Sequence, residues 1–226
     1  MTTRLVGESF EDVRATSPGQ IVEDFELDRC TFVASTLAQR TDLVPSLVVR
    51  RVNATRCILD NCLAVGIRFE DVTVDNLVTK GGLMHLSGCV LSHVTFKGRA
   101  GAVIASPPVP RPDEDLVSPE ADRALVEAYK SVDWALDITQ AEFVDVSLDY
   151  VPGNLIKRDP ETQFLLRREH RAELDNRDVP DGAHRVFSRF DISPFDSMVV
   201  VAPKRSKQFR RLMDIFEGLR EVGLAE

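Results

Sequence analysis

Counted in steps of five from Val52, the chain reads Val52, Cys57, Cys62, Ile67, Val72 and Leu77, an unbroken column of small or medium apolar side chains. Two residues later in each step runs a second column: Ala54, Leu59, Ala64, Phe69, Val74 and Thr79. The positions between the columns are mostly polar, as in Thr55-Arg56, Asp60-Asn61, Glu70-Asp71 and Asp75-Asn76. A period of 3.6 would carry such columns around a helix, and a strand period of two would not return in phase every five residues. The pattern therefore predicts a chain that turns a corner at each step. Two side chains point inward, and the polar ones form the outer face and the bend.

The columns continue upstream as Phe25/Leu27, Cys30/Phe32 and Ser35/Leu37, and downstream as Met84/Leu86, Cys89/Leu91 and Val94/Phe96. Their phase shifts by two between 37 and 47, where Pro45 marks a loop excursion, and again between 77 and 84, where Gly81 and Gly82 mark another. The steps "CTFVA" (30–34), "CILDN" (57–61), "VTVDN" (72–76) and "VTFKG" (94–98) resemble those of pentapeptide-repeat proteins, A(D/N)LXX. Cys or Val mostly replaces the Ala, and Thr, Ile or Glu fills the Asp/Asn slot. Over residues 20–105 the resemblance implies a mainly β solenoid. It would be a right-handed quadrilateral parallel β-helix of roughly 20 residues per coil, each coil touching only its neighbours.

The repeat resumes in "WALDITQAEFVDVSLDY" as Leu136/Ile138, Ala141/Phe143 and Val146/Leu148, for about four coils in all. The expected core comprises Cys30, Phe32, Cys57, Leu59, Cys62, Ile67, Phe69, Val72, Cys89, Leu91, Val94, Phe96, Ala141 and Phe143. A three-sheet parallel β-helix with longer coils is the structural alternative.

Between the two blocks a Pro-rich excursion precedes a predicted helix, with Ser118 as N-cap, Pro119 at the first helical position, and Leu125, Val126, Tyr129 and Val132 as its apolar stripe. Such a helix would pack on a flank or open end of the solenoid, and Trp134 would anchor it. After Tyr150 the period is lost. Asp159-Pro160 starts a predicted helix over 160–174, although "TQFLLR" reads equally as a strand. "SMVVVAP" (197–203) predicts a buried strand, followed by a helix from Ser206 to Val222 that Gly223 stops. The organisation is then a 1–105 solenoid, a 106–133 loop and inserted helix, a 134–150 final coil, and a 151–226 C-terminal helical or α/β cap.

Composition narrows the chemistry. The net charge of −8 argues against generic binding to nucleic acid, and no segment has the run of apolar residues that a membrane span or secretion signal needs, which predicts a cytoplasmic protein. All four cysteines fall in the first column with no CxxC pair, so packing explains them better than a metal or redox site. His85 and His93 fall at outward or corner positions, and neither neighbours a triad or ligand set. Glu169-His170 lacks a nucleophile, so no catalytic or metal residue is assigned.

Basic residues supply the binding candidates. Lys204, Arg205, Lys207, Arg210 and Arg211 surround a helix start that favours anions but lacks phosphate-loop glycines, and Arg158, Arg167 and Arg168 form a second charged run. The expected function is a non-catalytic protein-binding or scaffold module. Its partner would be another protein or a second copy of the chain, without cofactor, membrane or nucleic acid. The alternative is a small-anion or nucleotide-binding regulator or enzyme that uses the basic turn. Some pentapeptide-repeat proteins imitate duplex DNA and engage DNA gyrase. Residues 1–105, however, hold 12 acidic and 11 basic side chains, too balanced for a polyanion mimic.

Overall fold

The structure, a computed structural model, describes residues 1–17, 19–38, 47–108 and 119–226. Strands make up 46% of it, almost all of them parallel. The chain lays down three strands per pass. The first pass is β1 (Thr3–Val6), β2 (Ser9–Glu11) and β3 (Arg14–Ala15), and the second β4 (Ile21–Asp28), β5 (Thr31–Val33) and β6 (Thr36–Ala38). The third is β7 (Leu47–Thr55), β8 (Ile58–Asp60) and β9 (Leu63–Val65), and the fourth β10 (Ile67–Asp75), β11 (Val78–Lys80) and β12 (Met84–Ser87). Then come β13 (Val90–Ser106), α1 (Pro119–Tyr129), β14 (Leu136–Ser147) and β15 (Ile156–Lys157).

Corresponding strands of successive passes pair in parallel. The order β1-β4-β7-β10-β13-β12-β9-β6-β3, with β14 and β15 added, makes one 11-stranded sheet, curled through 267° into an open half-barrel. β2, β5, β8 and β11 form a second sheet. The register stacks the inward columns on one another. Phe25, Val52, Val72, Val94 and Leu136 share one ladder, and Leu27, Ala54, Val74 and Phe96 share the next but one.

The bends recur at the predicted spacing. Arg51, Arg56, Asn61, Gly66, Asp71, Asn76 and Gly81 all have φ between 52° and 67°. Left-handed backbone costs a residue with a Cβ roughly 1–2 kcal/mol, and least where it is Asn or Asp. Here hydrogen bonds to the next pass hold it in place. Arg56 N–H donates to Asp75 O at 2.7 Å, and Asn61 N–H to Lys80 O at 3.1 Å. Gly81 has a second reason to be glycine, because a Cβ there would lie 2.3 Å from the Asn61 side chain in the corner beneath.

The cysteines share one geometry. Each thiol donates toward the carbonyl two residues earlier and a carbonyl of the pass below. For Cys57 these are Thr55 at 3.5 Å and Leu27 at 3.7 Å, for Cys62 Asp60 at 3.6 Å and Phe32 at 3.3 Å. Cys30 and Cys89 repeat the arrangement on Asp28 and Leu5, and on Ser87 and Ala64. Ser35, in the same column, donates to Val33 O at 3.1 Å. A small side chain with a weak donor suits a bend whose carbonyl points along the inside of the wall.

The pairing starts earlier than the columns indicate, since Thr3 already lies on Phe25. Leu5, Phe10 and Ala15 keep the second column of this first pass, but Thr3 and Glu8 occupy the first, and both are exposed at the end of the stack. Of the expected core, Cys30, Cys57, Ile67, Val72, Cys89, Leu91, Val94, Phe96, Ala141 and Phe143 are buried. Phe32, Leu59 and Phe69 are only half-buried, because they line a part of the interior that is not completely filled, and Cys62 is half-buried as well.

Helix α1 closes an edge. β14 begins to cover β13 at Val94, leaving the backbone just before it without a strand above. The Tyr129 hydroxyl accepts from Leu91 N–H at 3.1 Å and donates to Cys89 O at 3.3 Å, standing in for that strand. Leu125, Tyr129 and Val132 are buried, so the predicted stripe faces inward. The Ser118 cap, most of the Pro-rich excursion and the Pro45 loop lie outside the described residues.

The C-terminal part comprises β16 (Gln163–Arg167), α2 (Ala183–Phe187), β17 (Ser197–Val201) and α3 (Phe209–Glu221). A strand, not a helix over 160–174, runs through 163–167, paired antiparallel with β17, and 3-10 turns follow it. Both faces of this pair are covered, which suits a strand better than an amphipathic helix. Phe164, Leu166, Met198 and Val200 belong to a separate core with Phe187, Phe216 and Leu219, while Leu165 and Val199 join the core of the curled sheet. The cap is thus a two-stranded partition between two apolar cores. Helix α3 starts at Phe209, not Ser206, because 204–207 form a turn, and Gly223 ends it with φ +75°.

Candidate functional site

The basic residues singled out in the sequence do not converge. Arg158 and Arg167 both reach the Glu226 carboxylate, at 3.6 and 2.8 Å. Arg168 points the other way, and its guanidinium donates to three backbone carbonyls, Phe190 (2.8 Å), Ser193 (2.7 Å) and Phe195 (2.8 Å). It ties the loop before β17 to the end of β16. Lys204 pairs with Asp159 at 3.2 Å, and Arg205 leans on Ala100 O at 3.5 Å. Lys207, Arg210 and Arg211 remain exposed without a partner among the described residues. His170 lies 3.2 Å from Leu224 O, which makes it a strut of the cap.

A tighter constellation sits on an outer corner of the curled sheet. His93 occupies a bend (φ 57°) directly above the bend at Asp71. Its Nδ1 is 3.0 Å from Asp71 Oδ1 and its Nε2 is 2.6 Å from Asp133 Oδ1, on the segment between α1 and β14. The ring lies 4.8 Å from that of Trp134, and Lys157 Nζ stands 3.6 Å over the indole. Trp134 therefore anchors the outer wall of β13, β14 and β15, not the inserted helix.

The electrostatics follow from the geometry. A neutral imidazole has one N–H, so only the imidazolium can donate to both carboxylates. The hydrogen bond to Asp133, reinforced by the one to Asp71, raises the pKa of His93 above the ordinary histidine value despite partial desolvation. Reciprocally, His93 draws the pKa of Asp133 below the usual carboxylate value. Asp71 and His93 stand at the same place in their steps, two residues after Phe69 and Leu91, so their contact was encoded in the period. Asp133 lies across the insertion, and no local pattern connects it to either.

Elsewhere the titratable groups are structural. Burial pushes the Cys89 thiol up to about 12, and that of Cys57 upward as well, so neither is a thiolate at neutral pH. The Asp149 carboxylate is buried beside Arg189 and accepts from Ser147 at 2.9 Å. Among the described residues no group of three His, Cys, Asp or Glu side chains is arranged to hold a metal ion, and no helix is long and apolar enough to cross a membrane. No family model matches the chain, and no curated protein or solved structure is found to be similar to it.

Proposed function

We propose that the chain is a right-handed quadrilateral β-helix of the pentapeptide-repeat kind, serving as a non-catalytic scaffold that binds another protein. Left-handed bends at every fifth residue support four sides per pass. Each long strand supplies two of them, β4 bending at Asp24, β7 at Arg51, β10 at Asp71 and β13 at His93. The observation that carries the functional reading is the outer wall. Glu26, Asn53, Thr73, Thr95 and Asp137 form an outward ladder, paired rung by rung across five parallel strands. A flat polar wall with fixed spacing suits an extended protein contact, since function is carried by sites displayed on a fold.

Ion pairs argue against a DNA-mimic role. Glu23 pairs with Arg50 and Arg51, Asp24 with Arg51, Asp28 with Arg56 and Glu70 with Arg68, so acids along the wall are neutralised in place. The test is cross-linking mass spectrometry on the full chain, comparing wild type with Asn53→Arg and Thr73→Arg. A partner should be lost in both variants while the melting temperature holds. Absence of any stable partner, together with a measurable turnover, would remove the scaffold reading. A small-anion site at Lys207, Arg210 and Arg211 is the second reading, favoured by their exposure at the start of α3. A thermal-shift screen with nucleotides and acidic metabolites separates the two.

A further inference from the structure

The interior of the curled sheet holds an apolar cavity of about 130 Å³, reaching from the second pass to β13. Leu27, Phe32, Leu59, Phe69, Val74 and Met84 line it, and all six remain half-buried although their columns point inward. Small neighbours leave the room, for Ala54 and Cys57 stand among the larger side chains on the same lining. Further along the stack the same interior is filled, where the Phe96 and Phe143 rings meet at 5.8 Å.

Water gains nothing by entering. The lining is apolar throughout, and its one group with a proton to share, the Cys57 thiol, already faces the Leu27 and Thr55 carbonyls. An apolar cavity of about 150 Å³ stays dry and takes up benzene or xenon, because a void deprives its walls of dispersion contacts that such a guest restores. We propose that this cavity is a binding site for a small apolar molecule, of the size of a single aromatic ring or a short alkyl group.

Two features shape its selectivity. A guest carrying a hydroxyl would bury it without a partner, so phenol should bind far more weakly than benzene. At the first pass the Phe10 ring stacks on Phe32 at 5.0 Å, which holds the one aromatic wall that the second pass gives the cavity.

The experiment is thermal unfolding of the full chain against increasing benzene, with phenol as the polar control and Ala54→Leu as a variant that fills the cavity. Wild type should show a rise in Tm of about 2–4 °C once benzene reaches several times its Kd, growing with the logarithm of its concentration thereafter. Phenol should give a smaller rise, and Ala54→Leu none. No rise in wild type, an equal rise in the filled variant, or an equal effect of phenol overturns the proposal. Should Ala54→Leu fail to fold, methyl NMR of wild type decides instead. Benzene must shift Leu59 and Val74 and leave Leu166 and Val200 of the cap unmoved; shifts in the cap, or none anywhere, overturn the site.

Discussion

Replacing Tyr129 by Phe removes one oxygen from a side chain that is 4% exposed and leaves the ring beside Phe195, 5.5 Å away. Almost no volume changes, so the cavity cost that accompanies most core substitutions is absent. What changes is the edge of β13, where Leu91 N–H and Cys89 C=O lose their partner. A buried backbone group left unsatisfied costs about 1–3 kcal/mol, so the two together should cost roughly 2–6 kcal/mol. For a chain of this size that corresponds to a fall in Tm of roughly 4–24 °C. Urea denaturation should show a lower midpoint at unchanged slope, and hydrogen exchange at the Leu91 amide should accelerate far more than at the Val94 amide, which still bonds Ala135 O at 3.0 Å. A loss below about 0.5 kcal/mol with Leu91 protection intact would refute the claim that α1 seals this edge through its hydroxyl.

The His93 clamp should be visible through Trp134, the single tryptophan, whose fluorescence an adjacent imidazolium quenches. Because the folded pKa is raised, the clamp is complete below about pH 6.5 and is lost as pH rises through a higher midpoint, while the lowered pKa of Asp133 keeps it intact down to below about pH 4. Asp133→Asn should move the fluorescence midpoint down; an unmoved midpoint, or one at or below 6.5 in wild type, contradicts the geometry. Arg168→Lys should destabilise the cap by about 1–3 kcal/mol, because one ammonium cannot serve the three carbonyls that the guanidinium fork holds, and an unchanged denaturation midpoint would show those bonds to be dispensable. With a thiol reagent, half-buried Cys62 should react first, and Cys30, Cys57 and Cys89 only at the rate of unfolding; rapid labelling of Cys89 would contradict its burial at 4%.

Much of the stack was legible because one rule repeats. A bend every five residues leaves its mark on each step, and the register confirms the columns from Phe25 to Phe96 rung by rung. The solenoid was placed over 1–105, but its columns could be traced only from Phe25, because Glu8 stands where an apolar residue was expected, and at an uncovered end such a substitution costs little. The stretch 163–167 was ambiguous because five residues with no polar alternation lack a period, and only the two cores on either side of the β16–β17 pair explain why every other residue needed to be apolar on both faces.

The candidate sites were less legible. Arg158, Arg167, Arg168 and Lys204 are close in sequence to other charges, and sequence proximity suggested a cluster. Tertiary packing instead divides them among three partners: Glu226 for Arg158 and Arg167, a set of carbonyls for Arg168, and Asp159 for Lys204. His93 was dismissed for want of neighbours, since Asp133 comes to it only after the chain has left the sheet, formed α1 and returned.

By itself, then, the sequence determined the local grammar of this protein: where the chain bends, which residues turn inward, and that its cysteines belong to the walls. Those properties depend on spacing within a few residues, which the period records directly. The tertiary structure alone decided that a tyrosine replaces a missing strand, that a histidine joins two carboxylates 62 residues apart, and that the interior stays partly empty. Each of these depends on what a distant segment places beside a residue, and the five-residue rule carries no information about that.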